Sequence, residues 1–184
     1  MKDDFPPMDD EDDISRPPPP CPYEPSALQL LVPVTALTAT LTLLQRAGRR
    51  ESGVFWYGTR LPDGSGQVAY VVAPKQRMSW GNYHVSAAAL AEVVHRLPDG
   101  WKPLAQVHSH PGARVEHSNY DDRMAGSRKA LSLVLPFYGH LNTAFPAGVG
   151  VHEWQADYWH LLSPDIAAQR VVLTDGDVRG EDFR

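Results

Sequence analysis

Beyond residue 28 the chain shows two periods of apolar positions. Leu28 to Val32 is a short apolar run that reads as a strand, and from Pro33 to about Ala47 apolar residues recur at helical spacing. Val34, Leu37, Leu41 and Leu44 then share one helical face. Pro33 suits the first helical position, and Gly48 can close the end. Val54 to Tyr57 and Gln67 to Ala73 are apolar segments separated by Pro62, Asp63, Gly64 and Gly66, which predicts a hairpin. A second helix is expected from Val85 to Leu97, where Leu90, Val93, Val94 and Leu97 recur before Pro98, Asp99 and Gly100 stop it. Leu104 to His108 is strand-like, Asn119 to Lys129 helix-like, and Leu131 to Leu135 a compact apolar strand. Strands at Gly148 to His152 and Tyr158 to Leu162, a short helix near Pro164 to Gln169, and a strand at Val171 to Thr174 complete the pattern. This mixed order predicts an α/β or α+β domain with no internal repeat.

The first 25 residues do not share these periods. They combine an acidic run (Asp9, Asp10, Glu11, Asp12, Asp13) with four consecutive prolines, Pro17 to Pro20. Such a composition buries too little apolar surface to offset the entropy of ordering, so residues 1–25 are expected to form a disordered or polyproline-like tail and residues 26–184 the folded domain. Two basic residues stand against eight acidic ones in that tail, which leaves fifteen against fourteen in the body. A nearly neutral body has no basic stripe for a nucleic acid, although Arg46, Arg49 and Arg50 form a small cluster.

Cys21 is the sole cysteine, which rules out an internal disulfide and argues against a Cys/His protease. No apolar run reaches membrane-spanning length and the N-terminus lacks the apolar stretch of a secretory signal, so a cytoplasmic location is expected.

The chemistry is concentrated in His108-Ser109-His110-Pro111 and in Ser118 and Asp121. Alternate side chains on a strand share a face, so two imidazoles separated by one residue can converge on one ion. Asp121, three residues after Ser118 at the start of a helix, supplies a carboxylate from the same side of the first turn. Two His and one Asp make a three-ligand zinc set with a fourth position left for water. A carboxylate outside that set has to take the water's proton, and Glu51 is the candidate. It precedes a strand in Glu51-Ser52-Gly53-Val54-Phe55-Trp56-Tyr57-Gly58, where two glycines allow close backbone approach. Ser118 can donate to the oxyanion formed on attack at a carbonyl, and with an acid three residues later it also reads as a variant of the helix capping box. Asp122 repeats the acid next to Asp121, but it would point about 100° further round the helix, so spacing favours Asp121. His84, His95, His140, His152 and His160 are expected at the surface or in packing roles. Trp80 to His84 reads as a loop that can line a groove.

This set resembles the JAMM motif of MPN-domain (JAB-type) metalloenzymes: a Glu upstream, then His-x-His, seven residues, Ser, two residues and Asp. Glu51, His108, His110, Ser118 and Asp121 match every spacing, and the order of elements from Leu28 to Leu162 follows the family's. His117 stands where related bacterial sequences often have proline. The resemblance implies an MPN/cytidine-deaminase-like fold, a curled mixed sheet flanked by helices. It implies Zn2+ bound by His108, His110 and Asp121, with Glu51 as base and Ser118 supporting the tetrahedral intermediate. It further implies cleavage of a peptide or isopeptide bond after the C-terminal tail of a ubiquitin-like protein. Such an enzyme acts beside activating and conjugating enzymes, in a bacterial conjugation or antiphage-defence system. Release of a small product from a sulfur-carrier protein of ubiquitin-like fold is the alternative substrate class, and a catalytically silent MPN scaffold the alternative without chemistry.

Overall fold

A computed structural model describes residues 16–184. Its organising strand is β2 (Gly53–Arg60), which alternates between two cores: Val54 and Trp56 enter one, Phe55 and Tyr57 the other. β2 pairs antiparallel with β3 (Gly66–Ala73) as the expected hairpin and, on its other side, with β6 (Lys102–Ser109). β6 runs parallel to β7 (Leu131–Leu135), which is followed by the antiparallel strands β8 (Gly150–Gln155) and β9 (Tyr158–Leu161). Beyond β3 lie β1 (Leu30–Pro33) and β10 (Val171–Thr174), both parallel, and β11 (Arg179–Asp182) extends β3 past the point where β1 leaves it. The strand order β10-β1-β3-β2-β6-β7-β8-β9 makes one mixed, curled sheet with helices packed against it, an α+β arrangement as expected.

Helix α1 (Val34–Arg46) covers the core that holds Val54, Trp56, Val107 and Leu133. Its buried face is Ala36, Thr40, Leu43 and Leu44, while Val34 is 50% exposed, which corrects the expected stripe of Val34, Leu37, Leu41 and Leu44. Thr40 explains the rotation: its hydroxyl donates to Ala36 O at 2.8 Å and accepts from Trp56 Nε1 at 2.7 Å, so a polar residue that is hydrogen-bonded both as donor and as acceptor occupies the core line. Pro33 is the capping residue rather than the first helical one, and Gly48, at φ +66°, ends the helix as expected.

The opposite core is covered by α2 (Ala87–Val94), through Ala89 and Val93. This helix is shorter than the Val85 to Leu97 pattern suggested, because Ser86 caps it by accepting from Ala89 N at 3.2 Å and Val85 instead enters the core. The expected loop at Trp80 to His84 belongs to a small hairpin, β4 (Arg77–Met78) with β5 (Tyr83–His84). α3 (Asn119–Met124) also stops well short of Lys129: Ala125 is extended and Gly126 N donates to the Gln106 side chain at 3.1 Å. α4 (Pro164–Arg170) leads directly into β10. No helix among the described residues is long and apolar enough to cross a membrane.

Of the expected N-terminal tail, residues 1–15 lie outside the described residues. Residues 16–25 lie on the domain. Arg16 bonds Asp122 and Trp159 O, Tyr158 Oη donates to Pro17 O at 2.8 Å, and Tyr23 Oη donates to Glu153 at 2.7 Å. The polar partners of β8 and β9 thus supply what an apolar pattern could not.

Candidate metal centre

The site is a product of strand register. His108 lies opposite Gly53 in the antiparallel β2–β6 pair, and Ser109 N donates to Ser52 O at 3.2 Å. Continuing that register two residues places Glu51 opposite His110. Residues opposite each other in an antiparallel pair project to the same face, so His108, His110 and Glu51 share one side of the sheet. Gly53 leaves a gap on that face. Tyr83 fills it so closely that any β-carbon at position 53 would collide with its ring, and the same ring lies 5.4 Å from that of His108. Gly58, the other glycine of the stretch, faces Gln67 O where β2 and β3 shift register.

His110 follows the end of β6, yet its backbone is held from both sides. Its N–H donates to Leu135 O at 2.9 Å and its carbonyl accepts from Tyr138 N at 2.8 Å. Phe137 and Tyr138 take left-handed φ values of 51° and 55° to reach it, an uncommon conformation for non-glycine residues that clusters at functional sites. The side chain is oriented by Nδ1, which donates to Arg114 O at 3.0 Å and leaves the Nε2 lone pair free.

Asp121 arrives from α3. Ser118 caps this helix, accepting from Asp121 N at 3.1 Å, while Asp121 Oδ2 accepts from Ser118 N at 2.7 Å and Ser118 Oγ at 2.8 Å. The capping box anticipated from the sequence is therefore complete and fixes the carboxylate. Asp121 Oδ1 lies 3.3 Å from His108 Nε2, Asp121 Oδ2 lies 3.5 Å from His110 Nε2, and the two Nε2 atoms are 3.1 Å apart.

Ligand atoms sharing one tetrahedral zinc at about 2.0–2.1 Å sit about 3.3–3.4 Å from each other. One ligand atom from each of the three residues lies within 4.8 Å of the other two, close to that spacing, and the group could hold a metal ion. Donor chemistry agrees: two imidazole nitrogens and one carboxylate suit zinc. Among the described residues His108 Nδ1 has no hydrogen-bond partner, so none of them fixes its proton on that nitrogen.

Electrostatics separates the roles. Burial pushes the Asp121 carboxyl up, but the charges and hydrogen bonds of His108 and His110 pull it well below the usual range, so it stays ionised. Burial lowers His108 and favours its neutral form. Glu51 is 6% exposed and is pushed up to about 8, chiefly by burial, with His110 pulling it down and Asp121 pushing it up. A buried carboxyl with a raised proton affinity next to a group that could hold a metal is suited to take up a proton.

Asp122 faces away from the ligands. It accepts from Arg16 Nε at 2.7 Å and from His117 Nδ1 at 2.8 Å, while His117 Nε2 accepts from Ser132 Oγ at 2.8 Å. The bonding order is that of a Ser-His-Asp triad, but Ser132 and His117 are only 1% and 0% exposed, so the serine has no route to a substrate. His117 stacks on His152 at 3.8 Å, which makes His152 a packing residue as expected. From the sequence Tyr83 is expected in a groove-lining loop rather than against His108, and neither Gln76 nor Arg16 is expected here. Gln76 clamps the Gly53 peptide at both ends, at 2.7 and 2.8 Å. No spacing in the sequence ties these residues to the motif.

A family described as prokaryotic homologs of the JAB domain matches residues 33–155. No curated protein matches this chain. Among solved structures, the solution structure of a protein from Desulfitobacterium hafniense is similar at a TM-score of 0.57 and 16% identity, covering 80% of this chain and 94% of that one. A solution structure of a protein from Salinibacter ruber gives 0.51 and 16%, covering 82% and 94%. At such identities these two speak for the fold alone. With the matched span running from the start of α1 to the end of β8 and enclosing all five motif residues, the chain belongs to the prokaryotic JAB-domain family.

Proposed function

We propose that the protein is a zinc-dependent hydrolase that cleaves the peptide or isopeptide bond following the C-terminal tail of a ubiquitin-like protein. The observation that carries the hydrolase reading is the position of Glu51: buried, within electrostatic reach of His110 and Asp121, and outside the three-residue group formed by His108, His110 and Asp121. Zinc held there supplies Lewis acidity, which lowers the pKa of water to about 7 and polarises a carbonyl. Glu51 takes the proton of the attacking water and returns it to the leaving amine. Asp121 keeps its orientation through the capping box and His110 through the Arg114 carbonyl, while His108 is buried against the Tyr83 ring. Ser118 Oγ is bonded to Asp121, and turning it to the substrate oxyanion exchanges that bond for one to the developing charge.

The substrate class rests on the family and on the physics of an extended tail, which can add to a strand and lead its last carbonyl to the site. The hairpin next to Glu51 offers such a rim: Ser79 O accepts from Glu51 N at 2.8 Å, and the neighbouring Trp80 is 71% exposed. In this reading the partners are a ubiquitin-like modifier or its conjugates, with the corresponding activating and conjugating enzymes, in a bacterial conjugation or antiphage-defence setting.

The test is Glu51→Gln in the full chain. Hydrolysis of a ubiquitin-like conjugate is expected to fall below detection while zinc content stays that of the wild type. Near-normal turnover by this variant would show that Glu51 is not the base. Mass spectrometry of proteins retained by the inactive variant would then identify the substrate.

A further inference from the structure

The short helix that presents Ser118 and Asp121 depends on side chains to seat it on the sheet. α3 has six residues, fewer than two turns, and a helix of that length is not stable by itself. Its capping box orients Asp121 relative to Ser118 but does not tie the helix to the sheet. Tyr120 Oη donates to Tyr83 O at 3.3 Å, and just past the helix Gly126 N donates to Gln106 at 3.1 Å. Asp122 adds two short links, at 2.8 Å to His117 and 2.7 Å to Arg16.

These links are built across the sheet. Register places Ser132 of β7 beside Gln106 of β6 and His152 of β8, so all three share a row on the face that carries His108. His117 sits over this row, accepting from Ser132 and stacking on His152, and its ring is 5.9 Å from that of His108. Arg16 closes the arrangement from outside. Its guanidinium donates through Nε to Asp122 and through Nη2 to Trp159 O at 2.8 Å, and it lies 4.3 Å above the Tyr158 ring. Its side chain is only 10% exposed, so this is a seated group rather than a surface ion pair. One planar cation thus bridges α3 and the edge strand β9, a task that the point charge of lysine performs less well.

We propose that Arg16 is a positioning residue for the metal-binding turn: through Asp122 and His117 it fixes the start of α3, and with it Ser118 and Asp121. The N-terminal segment is then part of the site's support, although it lies outside the span shared with the family. The zinc arm of the test rests on Asp121 being a ligand; the structural arm does not.

The experiment compares the full chain with its Arg16→Ala and Arg16→Lys variants. In metal-stripped protein, hydrogen exchange is followed at the Asp121, Asp122 and Ala125 amides, which bond within or just before α3, with amides of β1 and β10 as controls. Zinc alone is then titrated against a chelating dye. Arg16→Ala is expected to speed exchange in α3 about tenfold with the controls unchanged and to weaken zinc binding by about 10- to 100-fold, as loss of a group orienting a ligand does. Arg16→Lys is expected to restore part of both. Unchanged α3 exchange in Arg16→Ala would overturn the proposal, as would equal acceleration in β1 and β10, which would make Arg16 a general stabiliser. If wild-type protein binds no zinc, the hydrolase reading fails and the exchange arm still decides the role of Arg16.

Discussion

Glu51 is where local energetics and chemistry meet. A folded-state value pushed up to about 8 from an ordinary 4.5 means that the metal-free native state holds a proton the unfolded chain has released. By linkage, this group's contribution to stability is fully present below about pH 4.5 and is lost as pH rises toward 8. The buried histidines act in the opposite sense: burial lowers His108, His117 and His152, so their contribution is present above 6.5 and lost as pH falls below it. A comparison with Glu51→Gln isolates the carboxyl, because glutamine has no proton to lose. In chelator-treated protein the variant is expected to gain stability relative to wild type steadily from pH 5 to pH 8 and to level off above. Urea midpoints measured across that range check it, and a difference independent of pH would mean that Glu51 ionises normally.

At the scale of elements, the β2–β6 pair is the device that assembles the site, and it depends on Gly53. Gly53→Ala would drive a methyl group into the Tyr83 ring, which in turn packs on His108. Overpacking of this kind costs about 1–3 kcal/mol, read as a lower urea midpoint with an unchanged slope. Wild-type stability would show that Tyr83 can move aside freely. The strands and the ligand spacing were legible in the sequence because they follow strict local periods: β2, β3, β6 and β7 appear where apolar runs announced them, and His-x-His has the period of a strand. What local period does not encode was not legible. The buried face of α1 turns on Thr40, which is buried only because Trp56, distant in sequence, meets its hydroxyl. α3 ends early because Gln106 on another strand takes the Gly126 amide. β11, Arg179–Asp182, has no apolar alternation, and pairing with β3 alone makes it a strand.

At the scale of the molecule, the fold brings four segments to one face: the approach to β2, the end of β6, the start of α3, and the N-terminal strap that reaches α3 over β8 and β9. The first three are within the family's span. The strap escaped the sequence reading because proline and charge look like tail composition, whereas its contacts with Glu153, Gln155 and Trp159 are made by partners more than a hundred residues away. In the proposed site His108, His110 and Asp121 hold one metal ion with Glu51 standing free of it. Calorimetric titration of metal-stripped protein with zinc tests this directly, using wild type, His108→Ala, Asp121→Ala and Glu51→Gln. One ion per chain is expected for wild type and Glu51→Gln, with binding weakened or lost in the other two. Absence of stoichiometric zinc in the wild type, or undiminished binding in His108→Ala and Asp121→Ala, would contradict it.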